Sequence, residues 1–137
     1  MNGGLLYLDS SAIVKLVLAE PETDALVEFL RGWPERISSV LARLEVLRVV
    51  RRAGVREAAY RRAEGVVARI GLVGIDEAVV RLAEDLEPQD LRTPEAIHLA
   101  TALSVGEELG CLISYDACLS RAATSSGMLV LSPGKEG

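Results

Sequence analysis

The chain has 137 residues and a formal net charge of −5, and half of its residues are hydrophobic whereas only 4% are aromatic. This length suits a single domain over residues 1–137, with an aliphatic core that requires neither a disulfide nor a structural metal. It contains no run of about 18 apolar residues and no basic segment followed by an apolar one at its start, so we predict a cytoplasmic protein with no membrane partner. Cys111 and Cys118 match no redox or zinc-ligand spacing, in keeping with free thiols in a reducing compartment.

Short apolar runs alternate along the chain with longer segments of helical period, which is typical of an α/β domain with a mostly parallel sheet. The first run, Leu5 to Leu8, is apolar without alternation, as expected of a central strand covered on both faces. We predict strands near residues 4–8, 36–39, 71–75, 110–114 and 128–131, and helices near 10–18, 22–31, 40–53, 56–70, 76–87, 94–108 and 117–126. The segment from Ser132 to Gly137 is predicted to be a loose C-terminal tail.

Two helices carry further local signals. Val40, Leu44 and Leu47 form an apolar stripe on the helix predicted at 40–53, and Glu45 lies at the border of that stripe. A carboxylate in that position is partly buried and needs a partner. At the start of the sixth helix, Thr93 is followed by Pro94, which predicts Thr93 as the N-cap and proline as the first helical residue.

Positive charge is concentrated in one part of this acidic chain. The segment from Arg36 to Arg69 holds nine arginines against three glutamates. Such a segment beside an acidic site offsets the repulsion of an RNA backbone, although a solvated helix face is the ordinary alternative.

Four acidic residues are candidates for one site. Asp9 ends the first predicted strand and Asp116 follows the fourth, so both belong at the carboxyl edge of a parallel sheet, where ligands bind in such folds. Glu45 lies in the third helix, and Glu95 lies in the first turn of the sixth.

Each acid also has a structural explanation. Asp9 and Asp116 suit helix N-caps, Glu95 suits the positive end of its helix dipole, and Glu45 could pair with Arg48 or Arg52. Four converging carboxylates, however, would repel one another unless cations neutralised them. Mg²⁺ and Mn²⁺ prefer such oxygen ligands, and in phosphodiester hydrolysis they activate the attacking water and stabilise the leaving oxygen.

Four blocks of the sequence, in order and across nearly the whole chain, resemble the signature blocks of PIN-domain toxins of the VapC type. They are the runs from Leu6 to Leu16, from Ser38 to Glu45, from Leu91 to Ala102 and from Ile113 to Leu119. The resemblance implies a three-layer α/β/α fold around a five-stranded parallel sheet of order 3-2-1-4-5. It also implies a Mg²⁺- or Mn²⁺-dependent endonuclease for single-stranded RNA, commonly a homodimer, that a cognate antitoxin protein neutralises.

Carried over position by position, the resemblance assigns roles to several residues. Asp9, Glu45 and Asp116 match the metal-site acids of the family, Ser114 matches a hydroxyl that supports the site, and Ser10 matches a common Thr or Ser position. The chain departs from the family at Glu95, where aspartate is usual.

The glutamate at position 95 keeps the charge, so we expect it to bind the metal, with Asp90 in the preceding loop as the alternative third acid. Its extra methylene could shift a metal by about 1 Å, enough for roughly a hundredfold in rate. A catalytically weak member of the family is the third interpretation.

His98, the only histidine, lies three residues after Glu95 on the same helix face. A general base is one interpretation, but we favour helix packing or a hydrogen bond to a site carboxylate. Apolar residues of the segments 10–31 and 56–70 form either core or the groove that receives an antitoxin segment in the resembling toxins. The residues in question are Leu16, Val17, Leu26, Phe29 and Leu30.

Two rival functions come from other classes. A PIN-like module that binds RNA or protein without catalysis is compatible with the departure at Glu95. A phosphotransfer domain with Asp9 as nucleophile is disfavoured, because residue 11 is Ser11 rather than a second aspartate and no glycine-rich phosphate loop follows either strand.

Overall fold

The computed structural model describes residues 4–54 and 56–135, and its strands form one parallel sheet with helices around it. The strands are β1 (Leu5–Leu8), β2 (Arg36–Ser39), β3 (Gly71–Val73), β4 (Leu109–Ile113) and β5 (Val130–Leu131). The helices are α1 (Ser10–Val17), α2 (Thr23–Leu30), α3 (Val40–Arg52), α4 (Glu57–Ala68), α5 (Glu77–Glu84), α6 (Thr93–Val105) and α7 (Ala117–Ser125), and a 3₁₀ turn follows α6 at Gly106–Glu108. The strand order is β3-β2-β1-β4-β5, which confirms the predicted fold class and order.

β1 is the central strand, and its side chains alternate between the two faces of the sheet. Leu6 and Leu8 pack into the core beneath α1, α3 and α4, whereas Tyr7 packs with Leu99 of α6 and Leu119 of α7. All three β1 side chains are fully buried. Tyr7 therefore brings a phenolic hydroxyl to the α6 side of an otherwise aliphatic strand.

The buried face of α3 is not the predicted one. Ala42, Val46 and Val50 are fully buried, whereas Val40 and Leu44 are 40% and 57% exposed. The helix carries two apolar stripes, and the one with small and β-branched side chains lies against the core. The exposed stripe lines a surface depression together with Arg43, Arg48 and Tyr60 of α4.

Two boundaries of α6 also differ from the prediction. Arg92, with φ −67° and ψ 154°, is the N-cap, and Thr93 is already helical, so the assignment of Thr93 as N-cap was wrong by one residue. The regular helix ends at Val105 because Gly106 adopts φ 73°, and the predicted remainder to 108 forms the 3₁₀ turn.

The C-terminal segment is held against the sheet as far as it is described. The Ser132 hydroxyl donates to the Ser114 carbonyl at 2.5 Å, and the Tyr115 hydroxyl donates to the Pro133 carbonyl at 2.7 Å. The predicted loose tail therefore does not begin at Ser132, and residues 136–137 lie outside the described part. None of the helices in the described ranges has the length and apolarity to cross a membrane. Cys111 is buried, Cys118 is exposed, and both are free.

Candidate active site at the carboxyl edge of the sheet

Asp9 lies directly after β1 and is almost completely buried, with 3% of its surface exposed. Its Oδ1 accepts hydrogen bonds from the Ser11 hydroxyl at 2.7 Å and from the Ala12 amide at 2.9 Å. Its Oδ2 accepts one from the Ser114 hydroxyl at 2.5 Å. The side chain is thus the N-cap of α1, as the structural explanation held, and it is also fixed in orientation by two hydroxyls.

The charge on Asp9 is held against its environment. Burial raises the pKa of the Asp9 carboxyl, and the hydrogen bonds from Ser11 and Ser114 oppose that rise without cancelling it. A fold that only needed a helix cap would be served by an exposed carboxylate. The buried charge is therefore a cost to the fold, which is common at functional sites.

Ser114 connects the ends of the two central strands. Its hydroxyl donates to Asp9 and accepts from the Asp116 amide at 3.0 Å, so one side chain holds both predicted acids. Asp116 in turn caps α7, because its Oδ1 accepts from the Leu119 amide at 2.8 Å. The predicted supporting role of Ser114 matches this geometry.

Glu45 is brought to the same edge from α3. Its Oε1 accepts a short hydrogen bond from the Ser10 hydroxyl and one of 2.8 Å from His98 Nε2. Among the described residues Glu45 forms no ion pair with Arg48 or Arg52. Partial burial pushes the pKa of Glu45 upward, but the hydrogen bonds from His98 and Ser10 outweigh it, so the pKa is lowered.

His98 is held by hydrogen bonds at both ring nitrogens and is 2% exposed. The Tyr7 hydroxyl lies 2.7 Å from Nδ1, and burial raises the pKa of that phenol, so it stays protonated and donates. With Nδ1 as acceptor, Nε2 carries the proton and donates to Glu45. The predicted hydrogen bond from His98 to a site carboxylate is confirmed, whereas neither nitrogen is left to serve as a general base.

Glu95 and Asp116 form the open part of the site. The Arg92 guanidinium lies 3.2 Å from Glu95, whose side chain is 14% exposed. Burial raises the pKa of Glu95, Arg92 lowers it, and the charges of Asp116 and Glu45 raise it further. Three of the four predicted acids therefore lie within electrostatic range of one another. Asp90, the alternative third acid, lines the same cavity of about 550 Å³ as Glu95 and Asp116.

The donor chemistry of these side chains fits a hard divalent cation. Carboxylates that raise one another's pKa are stabilised by a bound Mg²⁺ or Mn²⁺, which such oxygen ligands prefer. As placed, however, no three Asp, Glu, His or Cys side chains in the described parts of the chain form a closed ligand set. The buried acids are already oriented, and the open ones would have to turn toward an ion.

Two residues that support the site were not among the predicted ones. Ser11 donates to Asp9 and accepts from the Tyr115 amide at 2.9 Å, and Tyr7 orients His98. A pair of hydroxyls directly after a buried strand-end acid was the available signal for Ser11. No sequence signal shows which face of β1 Tyr7 occupies.

The arginine-rich segment is engaged mainly in contacts within the fold. Arg36 donates to the carbonyls of Leu30 and Trp33, and Arg62 donates to the carbonyl of Val17. Arg43 pairs with Glu64, Arg61 pairs with Glu57, and Arg51 stacks on Tyr60. The sum of charge in this segment therefore overstates what is available to an RNA.

Comparisons with known proteins agree with this geometry. The family model described as PIN domain matches residues 6–124. The chain is 47% identical over 128 residues to a protein of Mycobacterium tuberculosis named Ribonuclease VapC46, covering 93% of this chain and 97% of that protein. Among solved structures, a toxin-antitoxin complex from Klebsiella pneumoniae matches with a TM-score of 0.73 at 18% identity, covering 96% of this chain and 99% of that one. The Mycobacterium tuberculosis toxin VapC20, described as cleaving the sarcin-ricin loop, matches with a TM-score of 0.74 at 12% identity, covering 93% and 99%.

Proposed function

Because the chain belongs to the PIN domain family, we propose that it is a ribonuclease that cleaves single-stranded RNA and acts as the toxin of a toxin–antitoxin pair. A relative named as a ribonuclease is 47% identical along nearly the whole chain, which supports nuclease activity. The observation that carries the proposal is the buried pair Asp9 and Glu45. These acids come from different elements, and hydroxyl and imidazole donors hold both at one edge of the sheet.

We propose further that the activity depends on Mg²⁺ or Mn²⁺, held by Asp9, Glu45, Glu95 and Asp116, with Asp90 as the alternative to Glu95. When bound, such an ion lowers the pKa of an attacking water and stabilises charge on the leaving oxygen of a phosphodiester. The raised pKa of Glu95 beside Asp116 and Glu45 supports this assignment, since a cation relieves that repulsion.

The residues of the chain contribute positioning and charge to this chemistry. Ser11, Ser114 and the Ala12 amide fix the orientation of Asp9, and His98 and Ser10 keep Glu45 ionised with one oxygen engaged. Preorganised charge of this kind accelerates a reaction because it needs no rearrangement during the chemical step. Arg92, at the mouth of the site, offers a guanidinium to a phosphate oxygen once RNA competes with Glu95 for it.

An antitoxin would bind in the groove between α1, α2 and α4. Leu16, Val27, Leu30 and Val66 line a cavity of about 290 Å³ there, with Arg31, Arg36 and Arg69 at its border. Of the apolar residues predicted for core or groove, Val17, Leu26 and Leu30 are buried in the core, whereas Leu16 and Phe29 are partly exposed. An amphipathic helix with an apolar face and acidic flanks complements this surface. Homodimer formation and a cytoplasmic location remain proposals.

A catalytically weak PIN module that binds RNA or protein is the alternative function. The absence of a closed ligand set among the described side chains, together with the glutamate at position 95, favours it. The two functions differ in whether RNA is cut at all.

The test is an RNA cleavage assay with purified wild type, Asp9→Asn and Asp24→Asn, where Asp24 is an exposed residue of α2 and serves as the matched control. Wild type and the control should cleave single-stranded RNA with Mn²⁺, and EDTA or Asp9→Asn should stop cleavage. Cleavage that survives both EDTA and Asp9→Asn would refute the metal-dependent assignment. RNA binding without cleavage by the wild type would favour the weak module.

A further inference from the structure

Two cavities of the structure share one cationic residue, Arg121 of α7. The first is the acidic cavity of about 550 Å³ that contains Glu95 and Asp116. The second has a volume of about 580 Å³, and α7, β5 and the residues after β5 contribute to its lining, together with Phe29. Both volumes lie in the range of ligand pockets. Arg121 thus stands between the candidate active site and a second depression of similar size.

The two cavities differ in charge. Three carboxylates, from Asp90, Glu95 and Asp116, line the first. The lining of the second contains Arg121 and Lys135 but no Asp or Glu, and it includes the hydroxyl residues Ser120 and Ser132. Polar donors with unopposed positive charge are the features of a site for a phosphate group.

The two cations are also available for an external partner. In the part of the chain that the structure describes, neither Arg121 nor Lys135 takes part in an ion pair, and Arg121 donates only a 3.6 Å hydrogen bond to the sulfur of Cys118. The nearest competing acid is Glu22, whose charge interacts with Lys135 but which already pairs with Lys15 at 2.8 Å. Arg36, Arg43 and Arg61 of the arginine-rich segment, by contrast, are engaged within the fold.

We propose that Arg121 and Lys135 bind the RNA backbone on one side of the cleaved bond, so that the strand runs from the acidic cavity across α7 into the second cavity. The inference rests on the proposed function and extends it by naming a substrate-binding surface. The Arg121 guanidinium binds the phosphate next to the cleaved one, in the paired geometry that arginine offers to phosphate oxygens. Lys135 binds the phosphate beyond it as a point charge. The surface therefore contributes affinity for any RNA sequence, because backbone contacts carry no base information.

Salt-dependent RNA binding tests this proposal without any cleavage. In the Asp9→Asn protein with EDTA, the anisotropy of a fluorescein-labelled pool of mixed-sequence single-stranded RNA gives the dissociation constant at several salt concentrations. Arg121→Gln and Lys135→Gln should each weaken binding severalfold and reduce the slope of log K against log salt by about 0.7, the value for one phosphate contact to a single strand. Arg61→Gln is the matched control, since Arg61 is exposed and paired with Glu57 at 3.0 Å. Unchanged slope and affinity in the double variant would overturn the inference.

A substrate-length series assigns the surface to one side of the cleaved bond. Cleavage by the enzyme with Asp9 intact is measured on RNAs shortened one nucleotide at a time from the 5′ or the 3′ end. Trimming on one side should lower kcat/KM for the wild type, and the same trimming should have little effect on the Arg121→Gln, Lys135→Gln protein. Equal sensitivity in both proteins would overturn the inference while leaving the nuclease function intact. If the wild type cuts no RNA, the proposed function fails and the binding experiment alone decides the role of these cations.

Discussion

The candidate site has two halves that are built differently. The buried half consists of Asp9 and Glu45 with their hydroxyl and imidazole donors, and each of these acids accepts at least two hydrogen bonds. The open half consists of Glu95, Asp116 and Arg92 around a cavity, and its acids are opposed by one guanidinium. The buried half is complete before any ligand arrives, whereas the open half needs a cation or a phosphate to settle it. Substitutions in the first half should therefore affect both the fold and catalysis, and those in the second only ligand binding and catalysis.

The largest effect is expected from Asp9→Asn. The amide keeps the shape and can still accept from Ala12, but it removes the charge that would bind the ion. A metal contribution of several kcal/mol corresponds to a loss of roughly a hundredfold or more in kcat/KM, because each 1.4 kcal/mol is tenfold. Single-turnover cleavage of RNA with saturating Mn²⁺ measures it. A loss below threefold would show that the buried half is only a helix cap.

A somewhat smaller effect is expected from His98→Gln, which breaks the Tyr7–His98–Glu45 chain of hydrogen bonds. Groups that orient a metal ligand contribute about 10–100-fold in metal affinity or activity. The Mn²⁺ concentration for half-maximal cleavage should rise, whereas Tyr7→Phe, which leaves the bond to Glu45 in place, should raise it less. Because His98 is the only histidine, ¹⁵N spectra of the untagged protein report its tautomer directly. A proton on Nδ1 in place of Nε2 would contradict the assigned chain.

In the open half, Glu95→Asp and Glu95→Gln should act in opposite directions. Aspartate restores the shorter acid usual in the family and should raise kcat/KM, whereas glutamine removes a charge and should lower it by about tenfold, since it weakens one ligand of several. Neither change should alter the melting temperature by more than about 2 °C, because no helix cap or core contact depends on Glu95. Equal loss of activity in both variants would shift the third acid to Asp90.

The smallest effect concerns stability. Because burial raises the pKa of Asp9, the native state binds its proton more tightly than the unfolded chain, so this group destabilises the fold as pH rises above the ordinary aspartate range. Asp9→Asn should therefore be more stable than wild type at pH 7, by about 0.5–2 kcal/mol. The difference should shrink as the pH is lowered toward 4, which urea unfolding at several pH values would reveal. A less stable variant at pH 7 would mean that the buried charge supports the fold.

The sequence predicted the sheet better than it predicted the site. The apolar runs around Leu6 and Leu112 identify buried parallel strands, and family resemblance supplied their order. The buried face of α3 was missed because Val40 and Leu44 are as apolar as Val46 and Val50, and only the sheet decides which stripe is covered. The outcome at such a helix depends on tertiary packing, which periodicity does not contain.

Within the site, the strand-end acids were predictable because their positions follow from topology. The partners were harder to predict, since a hydrogen bond such as that from Tyr7 to His98 joins residues 91 positions apart and depends on which face of β1 meets α6. Likewise, the positive charge between Arg36 and Arg69 was visible, but its engagement with carbonyls and glutamates was not.

The central claim is that carboxylates from distant parts of the chain share one cation. Electron paramagnetic resonance of Mn²⁺ added to the metal-free protein measures that binding without RNA or catalysis. Wild type should bind the ion, and Asp9→Asn in the buried half and Asp116→Asn in the open half should each weaken binding by about tenfold or more, as expected for loss of one ligand. If either variant bound Mn²⁺ with wild-type affinity, the two halves would not form one metal site.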